Sequence, residues 1–457
     1  MTRRFHFIGI GGAGMSVVAE LLAARGYEIS GSDRVASPVL DRLSGLGVVT
    51  FVGHDASHVP SEATVVVSTA VRHDNPELMQ ARSRGQEVIH RSQALALAAQ
   101  EMRFVAVAGA HGKSTTSGML AVALREAGCD PSVAVGAIIP QLSSGAHLGG
   151  GDIFVAEADE SDGSFLNYRP TIELVTNVEP DHLDRYSSRD AFEQVFVDFA
   201  DRLVDEGVLI VCAEDEGATR LAQRVRPRRT VVTYGRAHRS EDVPDVVIHH
   251  ASTSTRGGQV AVTWGDISAV IHLQVPGEHN LLNAVGAWTA GCLLGVDPQV
   301  MAQSLGAFVG TSRRFELRGT VAGRRLFDDY AHHPTEVAAA LRQARVVAHD
   351  QCVVVVFQPH LYSRTQAFAQ RFAQALALAD AVVVTDIYAA REDPVPGVDS
   401  RIITNYLPSA RYVPDMYEAV RQAAALTPVG GVLLTMGAGD ITNCVPQALA
   451  VWEQHVD

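Results

Sequence analysis

The chain carries a single lysine, Lys113, among its 37 basic residues, so wherever a plain positive charge suffices this sequence uses arginine. A lysine kept against that bias calls for a chemical reason. It stands in Gly109-Ala110-His111-Gly112-Lys113-Ser114-Thr115. Glycines there let backbone N–H groups approach phosphate oxygens, an ammonium can meet β/γ-phosphate charge, and a hydroxyl can reach Mg²⁺. The segment is shorter than the common G-x-x-x-x-G-K-[ST] loop, because position 107 is Val. A glycine-rich helix start with a surface lysine is the bland alternative, and it does not explain why the one lysine falls there.

Two acidic clusters could hold the metal of such a site. Glu157-Ala158-Asp159-Glu160-Ser161-Asp162 follows a hydrophobic strand, and Glu179-Pro180-Asp181-His182-Leu183-Asp184 follows another that ends at Asn177. Strand ends of this kind put carboxylates at the carboxyl edge of a parallel sheet, beside the phosphate loop. His182 could serve a second Mg²⁺ or its water, although nitrogen is an unusual ligand for so hard a cation. Either cluster alone reads as a solvated loop or a helix cap; next to Lys113 they read as a metal site.

Gly9-Ile10-Gly11-Gly12-Ala13-Gly14 follows the first strand and comes close to a dinucleotide fingerprint, with Asp33 about where a ribose-binding acid belongs. Close packing of helix on strand explains such glycines equally well. A nicotinamide-dependent oxidoreductase is the rival reading, and it leaves Lys113 without a use. Later, His279-Asn280-Leu281-Leu282-Asn283 sits at an expected helix start, where Asn is a good N-cap and adenine contact is the functional reading. Asp328-Asp329-Tyr330-Ala331-His332-His333-Pro334-Thr335-Glu336 and Gln358-Pro359-His360-Leu361-Tyr362-Ser363-Arg364-Thr365 each place polar groups after a buried strand. Capping explains the Pro-Thr-Glu start but not two His- and Tyr-rich edges with an arginine.

Around these residues the chain divides into three α/β sets. The first has strands at 5–10, 28–33, 64–68 and 87–90, with an apolar helix after the glycine turn. The second opens with strand 103–108, the lysine loop and a helix to about 127. It continues with strands 153–156, 174–177 and 208–212, an antiparallel hairpin addition within 242–275, and a helix from near 281. The third has strand 325–328, a helix after Pro334, strand 352–357, helix 366–378, strand 381–385, helix 417–426, strand 432–435 and a terminal helix. Hydrophobic runs bounded by glycine, followed by 3.6-period stretches, carry these assignments. They give domains 1–100, 101–312 and 313–457.

The bulk properties agree with that picture. A length of 457 residues exceeds one ordinary core. The net charge of −14 repels phosphate backbones and anionic membranes, so nucleic acid is a poor partner. No apolar run of membrane-spanning length occurs, which predicts a cytoplasmic protein without membrane insertion. The 5 cysteines lie far apart, are odd in number and form no C-x-x-C pair, so neither a disulfide framework nor a thiolate metal site is expected.

Gly9 to Met15, Gly109 to Thr115, Glu157 to Asp162, Asp181 to Asp184, Asp328 to Pro334 and Gly437-Ala438-Gly439-Asp440-Ile441 occur in one order, and that set resembles the Mur ligase family. The resemblance implies a Rossmann-like first domain, a central P-loop ATPase-type domain and a Rossmann-like third domain that closes over the site. It implies ligation of L-alanine to the lactyl carboxylate of UDP-N-acetylmuramate, through an acyl phosphate, in peptidoglycan precursor synthesis. The G-I-G-G-x-G-M opening sets the chain apart from the members that add D-glutamate, diaminopimelate or lysine, and the recycling member that adds a tripeptide is the alternative. Gly11, Gly12, Ala13, Gly14, Met15 and Asp33 would bind the UDP-sugar. Residues 109–115 with His279, Asn283 and Arg314 would bind ATP, and Ser114, Glu157 and His182 two Mg²⁺, replaceable by Mn²⁺. Tyr330, His332, His360 and Arg364 would face the amino acid. Lys113, Glu157, His182, His332 and Arg364 would be catalytic, with the amine's base open among His332, His333 and Asp329. A homodimer is left open. Ala110 and Ser114 replace common threonines, and Leu361 stands where some members carry arginine. The carbamylated lysine of later Mur ligases has no counterpart here.

Overall fold

The computed structural model describes residues 3–180, 186, 188–237, 243–390 and 392–454. Its chain forms two compact units, one of residues 1–251, 259–273 and 281–309, the other of residues 252–258, 274–280 and 310–457. Asp181, His182 and Asp184, expected near the metal, lie outside the described residues.

The first unit opens with a five-stranded parallel sheet in the order Val49–Val52, Glu28–Asp33, Arg4–Ile8, Thr64–Val67, Val88–His90. This is the doubly wound order, with the first strand at the switch point. The expected strand 5–10 stops at Ile8, because Gly9 takes φ +79° and its N–H, with that of Ile10, bonds to the Ser32 carbonyl. The helix Ala13–Ala24 then packs Val18, Leu21 and Leu22 into the core.

A ten-stranded sheet follows in the same unit. Its central part runs Thr230–Arg236, Val208–Cys212, Ile172–Val175, Arg103–Ala108, Ile153–Glu157, Ser132–Ile139, all parallel. Arg103–Ala108 lies between Ile172–Val175 and Ile153–Glu157, so the carboxyl ends of these three strands open at one crevice. The expected hairpin addition is present as three successive strands, Val246–Ser254, Gly257–Trp264 and Ile267–Leu273, at one edge. At the other edge, Ser132–Ile139 pairs antiparallel with Ser144–His147. Neither was expected, since glycines and serines mask their alternation.

The second unit is built on a six-stranded sheet, Glu316–Val321, Arg324–Asp329, Val432–Met436, Val353–Phe357, Ala381–Val384, Arg411–Tyr412, parallel except for the first pair. Val353–Phe357 is wholly buried, as a central parallel strand covered on both faces must be. Val353, Val355 and Phe357 pack with the helices Pro334–Ala348 and Tyr362–Leu376, whereas Val354 and Val356 pack with Met416–Leu426 and Val445–Glu453.

Two helix starts differ from expectation. Tyr362–Leu376 begins four residues before the expected 366, since Leu361 at φ +68° turns the chain and its carbonyl accepts from Thr365 N–H. Tyr362, Ser363 and Arg364 therefore sit in a first helical turn. The other helix is Glu278–Leu293, so Asn280 is inside it, its amide donating to the Pro276 carbonyl at 2.7 Å instead of serving as an N-cap.

Candidate active site

The phosphate loop connects Arg103–Ala108 to the helix Lys113–Glu126. Gly109 (φ +129°) and Gly112 (φ +83°) take conformations that L side chains rarely adopt. A Cβ on Gly109 would lie 2.3 Å from Thr176 Oγ1, and one on Gly112 would lie 3.0 Å from Asn283 Oδ1. The loop is clamped from the neighbouring strand end. Asn177 Oδ1 accepts the His111 N–H at 3.0 Å, Asn177 Nδ2 donates to the His111 carbonyl at 2.9 Å, and Thr176 Oγ1 donates to the same carbonyl at 2.6 Å. Gly112 caps the helix without a side-chain hydrogen bond. The first N–H groups of the helix therefore carry the partial positive charge that draws a phosphate. Ser114 is buried in that first turn.

Lys113 does not point into solvent. Its Nζ donates to the Gly109 carbonyl at 2.6 Å and to Glu160 Oε2 at 2.9 Å, with Glu160 Oε1 at 3.1 Å. Burial works against the ammonium, but the charges of Glu160, Asp159 and Glu157 outweigh it and raise the lysine above its ordinary value. Glu160 is 1% exposed; it belongs to the acidic cluster 157–162, but its type and spacing do not mark it as the lysine's partner. Glu157, at the end of its strand, accepts the Gly136 N–H at 3.0 Å. Ser114 and Glu157 offer the hard oxygen donors that Mg²⁺ prefers.

In the first sheet, the Gly11 N–H donates to Asp33 Oδ2 at 2.9 Å, so Asp33 braces the glycine turn. Gly12 precedes the helix that Ala13 opens and supplies no side-chain cap. The Met15 side chain is buried in the core. Arg91, from the helix Arg91–Ala98, covers Gly14: a Cβ there would lie 2.4 Å from Arg91 Nη1.

Within the second unit, four expected residues form one continuous group. The Tyr330 and His332 rings are 5.4 Å apart, His332 and His360 are 5.8 Å apart, and Arg364 Nη1 donates to His360 Nδ1 at 3.3 Å. Tyr388 stacks on the far face of this group against His360. Arg313, absent from the sequence reading, lies over the Tyr330 ring at 4.8 Å beside Arg314 at 5.1 Å. Arg313 also donates to the Gly437 carbonyl at 2.6 Å, while Arg314 pairs with Glu336 at 3.6 Å. Asp329 accepts N–H bonds from Ala331 and Phe315, yet burial, the larger effect, lifts its carboxyl to about 6. Of the three base candidates, His333 is the N-cap of Pro334–Ala348, closing a capping box with Glu336. Leu361 is buried, and its side chain is apolar. His279 is exposed in the first turn of Glu278–Leu293, one turn before Asn283.

Family models for the Mur ligase family catalytic domain, the Mur ligase middle domain and the Mur ligase glutamate ligase domain match residues 4–103, 107–291 and 313–439. The chain is 50% identical to a UDP-N-acetylmuramate–L-alanine ligase of Renibacterium salmoninarum, over 99% of this chain and 97% of that one. It is 46% identical to the protein of the same name from Streptomyces coelicolor, over 98% and 97%. Among solved structures it is similar to the UDP-N-acetylmuramate-alanine ligase of Thermotoga maritima, at TM-score 0.81, 29% identity and 99% coverage of both chains. A murein peptide ligase of Psychrobacter arcticus shares the fold at TM-score 0.75 and 24% identity, over the full length of both. With three family models spanning its sheets and relatives at half identity end to end, the chain belongs to the Mur ligase family.

Proposed function

We propose that this chain is an ATP-dependent ligase that joins L-alanine to the lactyl carboxylate of UDP-N-acetylmuramate in peptidoglycan precursor synthesis. The observation that carries the catalytic part is the lone lysine, fixed at the head of an uncapped helix and bracketed by Glu157, Asp159 and Glu160. The choice of L-alanine is supported by the relatives that bear that name at 44–52% identity. The tripeptide-adding alternative has only a likeness of fold behind it. The oxidoreductase reading of the glycine turn gives no use to Lys113.

The chemistry follows from the groups present. The lactyl carboxylate attacks the γ-phosphorus of ATP, the bond to the β-phosphate oxygen breaks, and an acyl phosphate and ADP result. The amino group of alanine, having lost a proton, then attacks the acyl carbon and phosphate leaves. In the first step two anions must meet. Lys113, with the amides of residues 112–115, would screen that repulsion and stabilise the charge spread over the transferring phosphoryl group. Ser114 and Glu157 are the residues that would hold Mg²⁺, which when bound neutralises phosphate charge. Asn283 borders the loop at Gly112, a placement suited to the nucleoside side of ATP. The glycine turn with Asp33 would receive the UDP part, and Tyr330, His332, His360 and Arg364 the amino acid, with Arg364 matched to its carboxylate. His332, His333 and Asp329 are the candidate bases for the ammonium, His333 through Nε2 because its Nδ1 serves the cap.

Mass spectrometry of the product made from ATP, UDP-N-acetylmuramate and an equimolar mixture of L-alanine and L-alanyl-γ-D-glutamyl-diaminopimelate tests this directly. Addition of one alanine residue is expected. A product carrying the tripeptide alone contradicts the reading.

A further inference from the structure

Two neighbouring carboxylates of one loop serve different clients. Glu160 holds Lys113 of the phosphate loop. Asp159, one residue earlier, accepts from Arg91 Nη2 at 2.7 Å, and the same guanidinium lies against Gly14 in the first turn after the glycine turn. Burial alone would raise the Asp159 carboxyl, but the Arg91 and Lys113 charges outweigh it and hold it below the ordinary carboxylate range. The loop is pinned on the same side by Asp162, which accepts from Thr69 Oγ1 at 2.6 Å and faces His90 Nε2 at 3.5 Å. Asn167 donates to Ser92 at 2.7 Å, tying the segment after the loop to the helix that begins with Arg91.

Gly14 acquires a reason here that the fingerprint alone does not give. A methyl group at that position would overlap the guanidinium, so the glycine leaves room for Arg91 and not only for a ligand. The loop of residues 159–162 is short and hydrogen-bonded to itself, with Ser161 N–H on Asp159 and Ser164 N–H on Asp162. These bonds connect Arg91 through Asp159 to the adjacent Glu160, and through Glu160 to Lys113.

Resting on the functional reading above, we propose that Arg91 is a positioning residue that couples UDP-sugar binding at the glycine turn to the phosphate loop, through Asp159 and Glu160. Such coupling is a ratio of affinities and reciprocal between the two ligands. It requires the planar guanidinium, which can address Gly14 and Asp159 at once; an ammonium is a single point charge.

Calorimetric titration of the full-length protein with a non-hydrolysable ATP analogue and Mg²⁺, with and without saturating UDP-N-acetylmuramate, measures it. In the wild type the sugar nucleotide is expected to tighten the analogue about fivefold or more. In Arg91→Ala, in Asp159→Asn and in Arg91→Lys the factor is expected to fall below about twofold, while in the two Arg91 variants affinity for the analogue alone changes little. Gly14→Ala, which dislodges the same guanidinium, should lose the coupling as well, and combining it with Arg91→Ala should lose no more. Circular dichroism melting identifies any variant that fails to fold, leaving the others to decide. Coupling retained in the folded Arg91 and Asp159 variants, or absent from the wild type, overturns the proposal. A wild type that does not bind the analogue at all overturns instead the functional reading on which it rests.

Discussion

Lys113 pairs with the buried carboxylate of Glu160, so the lysine's contribution to folding and its contribution to turnover can be separated. Lys113→Ala should lower phosphate release by about a thousandfold or more, since it removes charge stabilisation from the transferring group. The same change removes the ammonium that is bonded to the buried Glu160 carboxylate, which should cost about 3 kcal/mol of stability. Adding Glu160→Gln removes the buried negative charge that the ammonium offsets, so the double variant should melt above Lys113→Ala and remain as inactive. Recovery of activity along with stability would show that the lysine only holds the loop together. Asp329 supplies a pH test. Its folded value of about 6 lies above the ordinary 3.8, so the unfolded chain loses that proton first as pH rises. Stability should therefore decline from about pH 4 to about pH 6, by at most about 3 kcal/mol, and then level off. Asp329→Asn should flatten that segment of the curve in urea titrations at stepped pH, and an unchanged slope would place its cause elsewhere.

At the scale of elements, the phosphate loop depends on Gly109 for its path between two strand ends. Gly109→Ala puts a methyl 2.3 Å from Thr176 Oγ1 at a φ of +129°, so the loop must shift. Turnover should fall at least tenfold with the sheet intact, as read by phosphate release alongside circular dichroism; full activity would mean that the loop's shape is not used. In the adjacent strand Ile172–Val175, Glu173 is wholly buried, and neither carboxylate oxygen has a hydrogen-bond partner among the described residues. Burial raises its carboxyl well above 4.5. The folded state thus keeps a proton that the unfolded chain releases, and stability is lost as pH climbs past 4.5. Glu173→Leu should melt higher than wild type at pH 8, with the gap shrinking toward pH 4.5; parallel melting curves across that range would refute it.

The strand–glycine–helix units at Arg4–Ile8 and Arg103–Ala108 were legible in the sequence, because apolar runs ending in glycines that need positive φ leave few alternatives. So were the central strands of the last sheet, where continuous valine runs can only be buried on both faces. Glu160 was not legible as the lysine's partner. Four carboxylates share that short segment, and the one that turns toward Lys113 is set by how the loop leaves its strand. Sequence also placed His332, His333 and Asp329 as equal candidates for a base, and only the folded helix start shows that His333 and Glu336 close a capping box. Arg91 carried no signal at all, since its partners, Gly14 and Asp159, are remote in sequence.

Over the whole molecule, three α/β sheets divide the work that the family resemblance implies. The first ends in a glycine turn braced by Asp33, the second in the lysine loop and its carboxylates, and the third in the group from Tyr330 to Arg364. None of the helices among the described residues is long and apolar enough to cross a membrane. The most direct test of the central claim is phosphate release by the purified protein with Mg²⁺, ATP, UDP-N-acetylmuramate and L-alanine, leaving out each component in turn. Release is expected only when all four are present; release that persists without the UDP-sugar would mean that the chain is not this ligase.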